Sequence, residues 1–413
     1  MAKVLFFNGE QLEFPIVNGS QLWQGATFTR NSLANAFVGT TLTPFAVDVP
    51  RFGALESGDD AGLVVEGSRT NLFLRSEEFD NASWTKNDTT VTANQTTAPD
   101  NTTTADKLND TATTSAHILS QSVTVTSGTT YTGSFFFKQG EHKWVQLLFS
   151  TTSSTFAGDA WANFDIENGV VGNTGTDAVT PTITDAGNGW YRCSISRAAI
   201  ASASSGVAIP ALTGNVNTSV RARSYLGTGE GVFIWGGQFE VGSFASSYIP
   251  TTSAAVTRAA SVPLIEDVNT KPWFNASEFT VIAEFEVPQF VTSQRILAFG
   301  TAGSLLNRIE ILTTGTSARL FVEGGSGAVA DFTAAGLVAG ASNKIALRCK
   351  LDDYAMSVNG GAVGTDTSAI VPPVTALFLG MSTVSGNHLN GVIKSLTLIP
   401  RGLTNAQLQA LSS

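Results

Sequence analysis

Apolar and polar residues alternate along most of this chain, and the alternation predicts strands. Leu119, Gln121, Val123 and Val125 are interleaved with Ser and Thr, and after Ser127-Gly128 the residues Tyr131, Gly133, Phe135 and Phe137 share one face. Val145, Leu147 and Phe149 repeat the two-residue period, as do Ala162, Phe164 and Ile166, and then Tyr191, Cys193 and Ile195. Successive side chains of a strand point to opposite faces, so each series marks one buried side. Asn168-Gly169 between two such runs is a type I′ hairpin signal, and Asn188-Gly189 opens another strand. A second set of strands follows from about residue 264. It includes Val281, Ala283, Phe285 and Val287, then Ile345, Leu347, Cys349 and Leu351, then Tyr354, Met356 and Val358 closed by Asn359-Gly360. After a last strand from Val392 to Ile399, Thr404 with Gln407 three residues on forms a capping box. It predicts one short helix with Leu408 and Leu411 on its apolar edge.

The pattern reads as an all-β protein: two antiparallel β-sandwich or jelly-roll modules, preceded by a small irregular β segment and ended by one short helix. The expected divisions are 1–75, 76–262 and 263–413, in keeping with 413 residues at roughly 100–200 per domain. Strand-like pieces in the first segment, such as Ala26–Arg30 and Gly62–Glu66, are broken by Gly and Pro and look too short to hold a core of their own. No repeat of 20–50 residues argues for a propeller or solenoid.

Composition sharpens this picture mainly by what is scarce. Charged residues make up 14%, against roughly 25% in an ordinary globular protein. Thr, Ser, Asn and 40 Gly carry the polarity instead, which suits strands and turns and argues against a helical bundle or a doubly wound nucleotide enzyme. The net charge of −10 disfavours a nucleic-acid partner. Cys193 and Cys349 fall on apolar faces, so they read as core residues rather than a disulfide or zinc pair. The apolar run at the N-terminus is too short for a signal-peptide core, and no stretch of about 18 apolar residues predicts membrane insertion.

The candidate chemistry lies on the polar faces of the middle module. Trp144 and Gln146 oppose Val145 and Leu147; Trp161, Asn163 and Asp165 oppose Ala162 and Phe164; Trp190 and Arg192 oppose Tyr191 and Cys193. A flat ring flanked by hydrogen-bonding side chains suits a pyranose, so these seven residues are a candidate carbohydrate platform. The other reading is that this second face packs against the N-terminal segment or a neighbouring copy. Glu284 and Glu286 form a same-face carboxylate pair of the kind glycosidases use, with Pro288 at the next same-face position. Two exposed carboxylates on a solvated face are the plainer account. His117, His142 and His388 are scattered and are expected at the surface or in loops, so no metal or catalytic triad is assigned and no cofactor is expected. Asp59-Asp60 and Asp352-Asp353 lack the ligand spacing of an EF-hand.

Several segments resemble modules of tailed-bacteriophage fibre and spike proteins. They are Thr27-Phe-Thr-Arg30, Val49-Pro-Arg-Phe52, Gly62-Leu-Val-Val-Glu-Gly-Ser-Arg-Thr-Asn-Leu72, Arg75-Ser-Glu-Glu-Phe-Asp-Asn-Ala-Ser-Trp84, Asn188-Gly-Trp-Tyr-Arg-Cys193, Ile234-Trp-Gly-Gly-Gln-Phe-Glu240 and Ser247-Tyr-Ile-Pro-Thr-Thr-Ser253. The last module, through Tyr354-Ala-Met-Ser-Val-Asn-Gly360 and Ile399-Pro-Arg-Gly-Leu-Thr-Asn-Ala-Gln-Leu408, resembles a laminin G-like, concanavalin A-like jelly roll. The resemblance implies a homotrimeric, non-enzymatic virion protein, assembled in the bacterial cytoplasm with other virion proteins, that attaches to host cell-surface glycan. A purely structural capsid-decoration or tail component and a polysaccharide depolymerase are the alternatives.

Overall fold

The computed structural model describes residues 6–7, 10–11, 14–18, 21–22, 25–59, 61–149, 155–156, 158–206, 208–291, 293–384 and 386–413. The described residues form antiparallel β-sheets with one α-helix, Asn405–Leu411, and a single 3₁₀ turn at Val268–Thr270. The expected all-β class with one C-terminal helix is therefore what the chain adopts. Thr404 caps the helix through the expected box: its side chain accepts from the Gln407 backbone, and Gln407 reaches back to the cap.

The middle of the chain forms one sandwich. Its first sheet runs in the order Thr85–Asn87, Thr114–Ser120, Ala208–Leu212, Trp144–Phe149, Trp161–Asp165, Val170–Thr174, with Ser224–Leu226 also paired to Thr114–Ser120. The second runs Thr89–Thr96, Ala105–Asp110, Gly231–Val241, Thr130–Gln139, Trp190–Ala198, Thr180–Asp185. Between them lie the alternating residues read from the sequence: Phe135, Phe137, Val145, Leu147, Phe149, Phe164, Cys193 and Ile195, all buried in one cluster. The hairpins follow their local chemistry. Asn188 and Gly189 are both left-handed (φ +54° and +78°), as are Asn359 and Gly360 (φ +47° and +70°), which Asn and Gly tolerate best. Asn168-Gly169 departs from expectation. Only Gly169 is left-handed (φ +67°), and it closes a five-residue turn by donating its N–H to the Asp165 carbonyl.

The second sandwich is not built from residues 263–413 alone. Its seven-stranded sheet ends in Val262–Glu266 and then Ala26–Thr29, which pair antiparallel. Its eight-stranded sheet carries Gly62–Val65 and Phe52–Gly53 beyond Gly391–Ile399, and Phe14–Asn18 pairs with Gly391–Ile399 as well. Val17, Phe28, Leu63 and Val65 sit in the same core as Val281, Phe285, Ile345 and Leu396. The residues expected to form a segment of their own thus supply strands and core to the C-terminal sandwich. The middle sandwich is inserted between its two parts. The reason is physical: a short strand cannot bury its apolar face alone and gains burial by extending an existing sheet. Another part of the first segment, the hairpin Ala34–Val38 with Thr41–Phe45, packs on both: Phe37 and Leu42 lie beside Trp190 and Trp235 of the inserted sandwich, while Ala36 and Phe45 meet Val64 and Val392 of the composite one.

The helix covers the outer face of the eight-stranded sheet, with Leu408 and Leu403 on Ala346, Ala355 and Ile399. Arg348 is held beneath it by the Leu403 carbonyl, Asn405 and Asp353. Cys193 and Cys349 are buried, unpaired thiols, and burial raises the pKa of both, as their placement on apolar faces predicted.

A fragment 263–413 lacks four strands of its own sandwich. It is expected to lose the cooperative thermal transition of the full chain when followed by circular dichroism. A fragment melting at the full chain's midpoint would contradict the composite sandwich.

Candidate functional site

The seven residues of the expected carbohydrate platform do not form one surface. Trp144, Gln146, Trp161, Asn163 and Asp165 lie on two paired strands of the first sheet, with Gln146 opposite Asn163 and Trp144 opposite Asp165. Trp190 and Arg192 lie on the other sheet of the same sandwich. Each group occupies the strand positions that alternate with the apolar series, yet each is covered, and Trp161 packs into the core cluster itself.

On the first face the loop carrying Asn217 to Ala222 closes over the amides. Gln146 donates to Asn163 Oδ1 (2.8 Å) and the Val220 carbonyl, and accepts from the Ala222 N–H (2.7 Å). Asn163 donates to the Thr218 carbonyl (2.7 Å) and Asn217 Oδ1 (3.0 Å). Trp161 is 2% exposed and donates its indole N–H to Asp159 (2.6 Å). Asp165 is spent on the turn, accepting from the Glu167 and Asn168 backbones. Trp144 alone keeps a half-exposed ring, pressed against Gly172, where any Cβ would approach within 2.5 Å of it.

On the second face Trp190 is fully buried, its indole donating to the Thr97 carbonyl (3.0 Å), in a cluster with Phe136, Trp235, Tyr248 and the Phe37 and Leu42 hairpin. The packing reading holds for this ring. Consecutive Phe135, Phe136 and Phe137 carried the missed signal, since adjacent aromatics on one strand need both faces covered. Of the histidines, expected at the surface or in loops, only His117 departs from expectation. His117 sits on a strand between the Asp88 and Tyr225 carbonyls, and His142 and His388 lie in loops but are buried. Among the described residues no group of three or more His, Cys, Asp or Glu could hold a metal ion. Of the two aspartate pairs, Asp353 binds Arg348, and Asp60 lies outside the described residues.

Arg192 has a different setting from the tryptophans. Its guanidinium lies over the Phe136 ring (5.2 Å) and donates to the Ser246 carbonyl (2.7 Å) and Ser134 Oγ (3.0 Å). It lines a cleft of about 110 Å³ between the two sandwiches, together with Thr182, Thr184 and Ser194 from the inserted one, Glu56, Gln289 and Phe244. Burial pushes the Glu56 carboxyl up to about 7, the neighbouring Asp59 and Glu286 carboxylates push the same way, and Arg192 pulls against them. Sequence reasoning found Arg192 but missed Phe244, Glu56 and Gln289. They come from stretches with no strand period and meet only because the chain crosses twice between the sandwiches. Chemically the cleft offers a cation, a carboxyl close to neutral pH, hydroxyls, an amide and one aromatic edge. This set recognises hydroxyl-rich ligands.

No family model matches the chain, and no curated protein matches it. Solved structures similar to part of it include the CBM40 carbohydrate-binding module of a Ruminococcus gnavus sialidase bound to α2,3-sialyllactose. That pair is 16% identical over 36% of this chain and 91% of that one, with a TM-score of 0.31. Domain 4 of the Geobacillus stearothermophilus arabinanase AbnA, in complex with arabinotriose, is 13% identical over 41% of this chain and 82% of that one, with a TM-score of 0.30. The binding domain of Paraclostridial Mosquitocidal Protein 1 is 11% identical over 37% and 43%, with a TM-score of 0.27. Carbohydrate-binding modules are thus among the structures that part of this chain is similar to.

Glu284 and Glu286, the candidate carboxylate pair, have separate partners. Glu284 accepts from the Ser342 hydroxyl (2.8 Å), whereas Glu286 pairs with Lys394 (2.8 Å).

Two outcomes are expected here. Trp161→Ala empties a buried site and should cost about 3–5 kcal/mol in denaturant unfolding, in place of the selective loss of sugar binding that an exposed platform would show. Glu56 has a folded pKa near 7, above its ordinary 4.5. The folded state therefore holds the proton more tightly than the unfolded chain, and stability falls as pH rises through this window. Glu56→Gln should flatten the decline of the melting midpoint between about pH 5 and pH 8; an unchanged slope would place the charge elsewhere.

Proposed function

We propose that this chain is a bacteriophage virion protein of the tail-fibre, spike or head-fibre kind, which attaches to host-surface carbohydrate without hydrolysing it. The observation that carries the reading is the cleft between the sandwiches, where Arg192, Glu56, Thr182, Thr184 and Gln289 surround one edge of Phe244. A pyranose offers hydroxyls to such groups and a C–H face to such a ring. The separate partners of Glu284 and Glu286 favour binding over bond cleavage, since a glycosidase needs two carboxyls poised across one bond. The resemblance of the Arg- and Gly-containing motifs to phage fibre modules supports the virion setting, and with it assembly as a homotrimer. A shallow site suffices in that setting, because linked copies bind the second sugar at high effective concentration.

A second reading, a capsid-decoration or tail component with no glycan partner, is favoured by the covered tryptophans: rings expected to meet sugar are used in packing.

The two readings separate on purified full-length protein. An adhesin binds members of a glycan array or host lipopolysaccharide and blocks phage adsorption. Thr184→Trp, which fills the cleft from a half-buried position, should weaken that binding by about tenfold or more with the melting midpoint unchanged. Full binding by this variant would remove the cleft from the reading. Absence of all glycan binding would leave the structural role. A stable monomer in size-exclusion light scattering would exclude the trimer.

A further inference from the structure

Beyond Val65 the chain passes through Glu66, Gly67 and Ser68 to Arg69, running beside two loops of the composite sandwich. The passage is tied down: the Gly67 N–H donates to Asn390 Oδ1 (3.0 Å), and Gln294 donates to the Leu389 carbonyl (2.6 Å) while accepting from the Val291 N–H. Between passage and loops is an open hollow of about 250 Å³, lined by Ser68, Arg69, Gln294, Asn387, His388 and Asn390 among others.

Two buried groups, one lining this hollow and one near it, are incompletely satisfied within the fold. His388 is 7% exposed, and its Nε2 is buried with no hydrogen-bond partner; the Ser261 backbone holds the ring from another side. Near it lies Arg258, 1% exposed, none of whose three guanidinium nitrogens makes a hydrogen bond; its nearest acid is Glu66 Oε2 at 3.4 Å. Among the charges acting on Arg258 are the carboxylates of Glu66 and Glu240 and the guanidiniums of Arg51, Arg69 and Arg30. Uncompensated buried charge is costly, and several kcal/mol per ion is typical. Burial and these neighbours bring Arg258 down to about 10.

We propose that this hollow binds the carboxylate of an acidic saccharide, a uronate or a sialate. The carboxylate lies against Arg69, the arginine that lines the hollow, whose guanidinium also donates to the Val241 carbonyl and lies 3.7 Å from Glu240. Sugar hydroxyls meet Ser68 and the exposed Asn387, beside the His388 ring. Planar carboxylates match the guanidinium fork. The hollow also adjoins the proposed glycan cleft through one side chain, because Arg69 lies over the ring of Phe244, which lines that cleft (5.1 Å). This inference rests on the glycan-binding reading and assigns it a ligand class.

The test uses the full-length protein on an array of uronate- and sialate-bearing oligosaccharides, each beside its methyl ester and its neutral counterpart, with calorimetric titration of the tightest pair. The acid should bind about tenfold or more tightly than its ester, and Arg69→Gln should abolish the preference. If that variant does not fold, long-range ¹H–¹⁵N spectra of the wild-type imidazoles give the answer. The His388 signals should move on adding the acid and not the ester, while those of His117 and His142 stay. Equal binding of acid and ester overturns this inference alone and leaves the cleft reading intact. Loss of all glycan binding overturns both. Displacement of the acid by inorganic phosphate at equal concentration would mark a general anion site and overturn the saccharide assignment.

Discussion

The carboxylate of Glu66 is the point on which the two sandwiches depend. It is 1% exposed and accepts from Arg51 Nη1 (2.7 Å), from the Ser247 N–H (2.9 Å) and from the Ser247 hydroxyl (2.5 Å), with Arg258 at 3.4 Å. Glu66 and these three partners lie on four separate passages of the chain. Glu66 follows the strand Gly62–Val65 of the composite sandwich, Arg51 precedes that strand, Ser247 leaves the inserted sandwich, and Arg258 lies on the returning strand. Burial alone would raise the pKa of such a carboxyl, but the two guanidiniums and Ser247 outweigh it and hold Glu66 well below the ordinary carboxylate range. Removing one partner of a buried pair costs about 3–5 kcal/mol, so the junction has one arrangement in which its charges are met.

The motifs that resemble phage fibre modules gather at this junction. Arg30 is held by the carbonyls of Ser32, Val49 and Ala46. Asn71 donates to the Gly237 and Ile249 carbonyls and accepts from the Phe73 and Phe239 N–H groups, so all four of its hydrogen-bonding sites are used. Ser76, Tyr248 and Thr251 bond one another nearby. These residues specify where the chain crosses between the sandwiches, and the cleft and the hollow are by-products of that crossing. A sequence with few charges has placed five of its arginines, at 30, 51, 69, 192 and 258, around one seam. Most of the chemistry available for recognition is there too.

What could be read from the sequence was local. Strand periods placed Phe135, Val145 and Cys193 on the core side, and the capping box fixed the helix, because each depends on neighbours a few residues away. The composite sandwich was hidden, since Gly62–Val65 pairs with Gly391–Ile399 across most of the chain. A trace of it was present: Leu63, Val64 and Val65 are all fully buried, and an unbroken apolar run marks a strand covered on both faces. The tryptophans were assigned to the correct faces, but alternation says which side a residue faces and nothing about what lies over it. The candidate site was legible in Arg192 alone, because Glu56 and Phe244 reach it from loops.

The strand Arg69–Asn71, entering the inserted sandwich, lies antiparallel to Val256–Arg258, leaving it, with Asn71 opposite Val256 and Arg69 opposite Arg258. Entry and exit are therefore one strand spacing apart, about 5 Å. From the side of the composite sandwich, everything between them amounts to a surface loop whose ends are already joined, and closure entropy grows only logarithmically with loop length. Such a neck is a natural exchange point: a lineage could replace the whole inserted body by recombination at these two short strands and keep the host sandwich intact.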